Sequence, residues 1–118
     1  MTSNGSTYSD TGHEFLARAR SYLAEDDLRQ ASEKGWGAAA QMVKAAAETR
    51  GWPHHSHRDL FRTVTRLVDE TGDGELRSSF GIAAALHTNS YEGWLDRDTV
   101  EDHLTHVGEL VERLDALS

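Results

Sequence analysis

The sequence predicts an all-α fold, an up-and-down bundle of four or five helices with short connections. Three observations predict it. Apolar residues recur at three- and four-residue steps along most of the chain, and no run alternates with the period of a strand. The one proline, Pro53, falls between two such periodic stretches. Glycines, aspartates and Ser56 punctuate the pattern where helix ends need them.

Residues 1–10, rich in Ser, Thr, Asn and Gly, are expected to form a disordered tail, leaving 11–118 as a single helical domain. The first helix is expected from about Thr11 to Glu25, with Phe15, Ala19 and Tyr22 on one stripe and Leu16 and Leu23 beside it. Asp26 or Asp27 suits the start of a second helix that runs to about Arg50. That helix carries two apolar stripes, Leu28-Ala31-Gly35-Ala39-Met42-Ala46 and Trp36-Val43-Ala47, so neighbours should pack on more than one side. A glycine inside a helix costs up to about 1 kcal/mol against alanine, which close packing at Gly35 and Gly37 would offset. Gly51-Trp52-Pro53 should stop the helix. Ser56 is a natural N-cap for a third, with Leu60, Val64, Leu67 and Val68, which ends at Thr71-Gly72. The fourth places Leu76, Phe80, Ala83, Ala84, His87 and Tyr91 on one face. The fifth opens at Asp96 or Asp98 with the seam Val100, Leu104, Val107, Val111 and Leu114.

At 118 residues with 37% hydrophobic content, the chain affords one lean core, a composition that often gains stability by pairing into a homodimer. There is no cysteine, which excludes disulfides and thiolate chemistry. The first residues lack the basic start and apolar stretch of a secretory signal, and no apolar run approaches the roughly 20 residues of a membrane span. The expected location is the cytoplasm, with no membrane contact. A formal charge of −8 argues against indiscriminate nucleic-acid binding. The charge is uneven, however. Lys44, Arg50, Arg58, Arg62 and Arg66 face only Glu48 and Asp59 between positions 44 and 66, a local +3, while seven cations and eighteen anions elsewhere sum to −11.

Three polar groups carry the candidate chemistry. The first is Trp52-Pro53-His54-His55-Ser56-His57-Arg58-Asp59. His55 and His57 resemble a two-ligand metal clip, but no further ligand stands at metal-site spacing and the neighbouring arginines repel a cation, so no metal is expected. An anion site is the better match: Ser56 and the free amides that open the third helix, with Arg50, His55, His57, Arg58 and Arg62, would hold a phosphate. The same residues also make an ordinary capped helix with surface histidines. The second group is Leu86-His87-Thr88-Asn89-Ser90-Tyr91-Glu92, where His87 and Tyr91 stand four apart on the apolar face. Tyr91, Asn89 and Glu92 could hold the imidazole in one tautomer, for a structural network or for a general base, with Asn89 beside the ligand. In the third group, Ala31 to Gly37, Trp36 reads as a packing anchor, and Glu33 and Lys34, being adjacent, point apart.

Taken in order, these segments resemble the PaREP-type branch of the HEPN-like (higher-eukaryote and prokaryote nucleotide-binding) helical domains. The resemblance rests on ASEKGWGAAAQMVKAAAETRGW (31–52), HSHRDL (55–60), the Gly72-Asp73 turn, LRSSFGIAAALHTNSYE (76–92) and the last amphipathic helix, and covers about residues 13–117. It implies a bundle that pairs into homodimers. The wider superfamily includes ribonuclease toxins, defence nucleases and non-catalytic binding modules. Its nucleases use an Arg-x4-6-His motif near the fourth helix. Here the arginine upstream of His87 is Arg77, ten residues away, whereas Arg50 precedes His55 by five and His57 by seven. The expected function is binding of a nucleotide or RNA phosphate, without a cofactor. The alternatives are a toxin–antitoxin-like or regulatory scaffold for a partner protein, and a metal-independent ribonuclease with a degenerate Arg/His motif. In the ribonuclease His87 or His55 is the base, an arginine steadies the developing charge, and His87 and Tyr91 are the candidate catalytic residues.

Overall fold

A computed structural model describes the backbone of residues 4–117 and the side chains of residues 7–117. Five helices form the described chain: α1 (Asn4–Ala24), α2 (Leu28–Arg50), α3 (His57–Thr71), α4 (Glu75–Glu92) and α5 (Arg97–Asp115). There is no strand among the described residues, and no described helix is long and apolar enough to cross a membrane.

Local chemistry explains most of the helix ends. The Asp27 carboxylate accepts from the Gln30 N–H, and the Asp96 carboxylate from the Thr99 N–H. Ser56 and Asp59 form a reciprocal capping box at the start of α3. Gly51, Gly72 and Gly93 close α2, α3 and α4 in the left-handed region, with φ of 72°, 74° and 66°.

The start of α1 differs from expectation. The helix already includes residues 4–10, so the expected tail is helical there, and residues 1–3 lie outside the described residues. The support is tertiary. The Ser9 hydroxyl reaches Asp115 at 3.5 Å, Tyr8 sets its ring against His54, and Gly12 lies close against Met42.

α2 is the axis of the bundle and touches every other helix. Both of its predicted stripes are buried apart from half-buried Leu28: Ala31, Gly35, Ala39, Met42 and Ala46 on one and Trp36, Val43 and Ala47 on the other. The α5 seam of Val100, Leu104, Val107, Val111 and Leu114 is buried as expected. A Cβ on Gly35 would lie 2.6 Å from a Leu104 methyl and 3.0 Å from a Leu86 methyl, so a larger residue here would have to displace buried leucines of α4 and α5. Gly35→Val should therefore destabilise the fold by about 2 kcal/mol or more, overpacking outweighing any gain in helix propensity. Urea unfolding would measure this; an unchanged midpoint would refute it.

Candidate functional site

α4 is rotated relative to its sequence pattern. Its buried face is Leu76, Ser79, Phe80, Ala83, Leu86 and Asn89. This leaves His87 half-buried at the edge and Tyr91 60% exposed, a correction to the expectation that both lie on the core face. The pair still touches, ring edge to face at 5.5 Å.

His87 lies flat against Trp36 with centroids 5.0 Å apart, and His57 meets both rings edgewise, at 5.3 Å from Trp36 and 5.0 Å from His87. Three helices thus bring an indole and two imidazoles together: α2 supplies Trp36, α3 supplies His57 from its first turn, and α4 supplies His87. Phe80 supports Trp36 from within at 5.4 Å. Burial first, and then the His57 imidazole beside it, push the pKa of His87 below the usual 6.5. At neutral pH His87 is an uncharged imidazole, able to accept a proton or a hydrogen bond.

An open hollow of about 400 Å³ lies over this group, and Phe15, Lys34, Trp36, His87, Ser90 and Tyr91 are among its walls. Glu33 and Lys34 both reach the rim, although adjacent helix positions diverge. Lys34 is steered there by the Phe15 ring, whose centroid lies 4.5 Å from the ammonium. Sequence spacing could not expose this, because Phe15 belongs to another helix.

The remaining predicted residues go elsewhere. Arg50 is a structural guanidinium, with Nε and Nη2 donating to the two Glu70 oxygens at 3.3 and 2.8 Å and Nη1 to the Ala46 carbonyl. His55 stacks on His54 instead of joining His57, and its backbone N–H donates to Asp59. The helix begins between the two histidines and turns His57 towards Trp36. Asn89 is the clearest correction. It is fully buried, its amide donates to the Ser32 hydroxyl at 2.9 Å, and its carbonyl accepts from the Leu95 N–H at 2.8 Å. Both polar atoms are occupied by the fold.

Arg58 is exposed and stands on one stripe with Arg62 and Arg66 at four-residue spacing. None of the three has an ion-pair partner among the described residues, and like charges at this spacing oppose each other on a helix. The chain thus maintains a ridge of unneutralised cations despite its acidic composition.

The model of the archaeal PaREP1/PaREP8 family matches residues 7–111. The crystal structure of a protein from Sulfolobus solfataricus has the same fold, with a TM-score of 0.80 at 21% identity over 92% of this chain and 97% of that one. No curated protein matches.

Proposed function

We propose that this chain, which belongs to the archaeal PaREP1/PaREP8 family, is a HEPN-like module that binds a nucleotide or RNA phosphate in the cytoplasm and works as a homodimer. The observation that carries the reading is the meeting of Trp36, His57 and His87, with Tyr91 set against His87, beside a hollow walled by Lys34, Trp36, His87 and Tyr91. Exposed aromatic faces stack bases at about 1–3 kcal/mol each, and Tyr91 offers such a face beside the imidazoles. Lys34 and Arg58 supply the charge for phosphate, while the acidic remainder of the chain disfavours a long duplex. Phe61 and Trp94 are also exposed large hydrophobics, and a second copy that covers them leaves Tyr91 open to the ligand.

Titration with nucleotides and short single-stranded RNAs at two salt concentrations tests this. Affinity should fall with added salt, and Tyr91→Ala should weaken it about tenfold. The same affinity in Tyr91→Ala, or no binding at low salt, would sink the reading. In the latter case the exposed aromatics are better read as a surface for a partner protein.

A second reading, a metal-independent ribonuclease, is favoured by one feature: two imidazoles 5.0 Å apart, of which His87 is held neutral. His87 would take the proton of an attacking 2′-hydroxyl and His57 would protonate the leaving oxygen. RNA cleavage abolished by His87→Ala, in a protein that still binds, would establish it; cleavage that survives the substitution would exclude it.

A further inference from the structure

We propose that a second hollow, between Trp52 and the opposite flank of α3, is a site for one phosphate-type oxyanion. This goes beyond the binding reading above and does not depend on it. His57 and Phe61 face Trp36 and Phe80 on one side of α3. On the other, Trp52, Pro53, Asp59, Arg62, Thr63 and Arg66 enclose about 50 Å³, room for a group of a few heavy atoms and too little for a whole nucleotide.

Two independent observations point to a ligand. Thr63 is 1% exposed, and its hydroxyl has no hydrogen-bond partner. A helical threonine ordinarily donates to the carbonyl one turn back, as Thr71 does to Leu67 at 2.7 Å and Thr105 to Glu101 at 3.1 Å. Thr63 does not, which leaves its hydroxyl to a group outside the chain. The second observation is charge. Arg62 and Arg66 line the hollow without any carboxylate partner, and the Arg66 guanidinium is held 5.1 Å from the centre of the Trp52 ring. The acid in the wall, Asp59, is already engaged. Its carboxylate accepts from the His55 and Ser56 N–H groups at 3.1 and 3.4 Å, and these bonds hold its pKa below the usual carboxylate range. The wall holds two guanidinium cations against one carboxylate, whose Oδ2 is engaged by the backbone. Two guanidiniums and a hydroxyl donor match the several acceptor oxygens of a tetrahedral oxyanion.

The phosphate could be free or could end a nucleotide, and three probes separate these cases: inorganic phosphate, adenosine 5′-monophosphate and adenosine. Each would be titrated into the full chain in low-salt chloride buffer, followed by calorimetry and by the amide resonances of residues 59–66. The expected result is saturable binding of phosphate, of the monophosphate or of both, with adenosine inert at these resonances. Thr63→Val and Arg62→Gln should each weaken it about tenfold or more. Binding by both probes assigns the site to phosphate as such; binding by the monophosphate alone assigns it to a nucleotide terminus. Thr63→Val keeps the side-chain volume and removes an unpartnered hydroxyl, and Arg62 is exposed, so both variants should fold. Tyr91→Ala should leave this binding intact, which separates it from the site at His87. If neither phosphate probe shifts these resonances, or if both variants bind like the parent, the proposal is overturned and the hollow holds solvent.

Discussion

Asn89→Ala should lower stability by about 3 kcal/mol, the sum of a buried N–H left without its acceptor and the space vacated by the amide. For a chain of this length that corresponds to a fall of about 12 °C in Tm. The size of the effect follows from what Asn89 joins. Its amide donates to Ser32 on α2, and the Ser32 hydroxyl in turn donates to the Leu28 carbonyl at 2.7 Å. Its carbonyl accepts from Leu95 in the connection between α4 and α5. One side chain therefore ties together the start of α2, the end of α4 and the approach to α5, with no exposure to water. Truncation leaves the Leu95 N–H without its acceptor in a half-buried turn. Asn89→Asp keeps the acceptor but places an unpaired charge in the core, and should be at least as damaging. Thermal and urea unfolding measure both variants. A loss below about 0.5 kcal/mol for Asn89→Ala would mean that the network is not what holds α2 against α4.

The same residue shows where sequence reasoning succeeds and where it stops. Asn89 was legible as a polar group beside His87, but whether it faces a ligand or the core depends on the rotation of α4. A three- and four-residue apolar pattern defines that rotation only to within a neighbouring stripe. Leu86 settles it by packing beside Gly35 of α2 and Leu104 of α5, and Phe80 by packing against Trp36 and Phe61, and this turns Tyr91 outward. Features governed by near neighbours were legible: the caps at Asp27, Ser56 and Asp96, and the glycine stops at 51 and 72, each depend on a few adjacent residues. Features governed by distant partners were not. The α1 start relies on Asp115, and the choice of Arg50 between ligand and structure is decided by Glu70 on α3. Arg50 and His55 match a motif spacing, yet the guanidinium and the imidazole point to different partners. The grouping of Trp36, His57 and His87 draws on three helices, and no spacing within one segment encodes it.

Trp36→Ala should be still more costly, about 3–5 kcal/mol, and should also change the protonation of His87. Trp36 is 8% exposed and meets Phe80, His57 and His87 at ring distances of 5.4, 5.3 and 5.0 Å, so its loss opens the core and wets the site together. A small domain has about 5–15 kcal/mol in hand, which leaves the variant weakened but measurable at low temperature, with Trp36→Phe as a milder companion. Burial is the main cause of the lowered pKa of His87, and the neighbouring His57 is the lesser one. Removing the indole should therefore move the pKa back up towards 6.5. The sign of the pH effect follows from the direction of the shift. Because the folded pKa lies below the unfolded one, the unfolded chain binds the extra proton first. The contribution of His87 to stability is then complete above about pH 6.5 and is lost as pH falls through the folded pKa. Trp36→Ala should lose less through this group over that interval than the parent does. Following the imidazole C–H resonance of His87 from pH 7.5 to 5 reads the shift directly. An unchanged titration in both variants would mean that something other than the indole desolvates the ring. If the shift appears, the side chain that closes the core is also the one that keeps His87 neutral at pH 7, so that core packing and the chemistry available at the hollow cannot be altered independently.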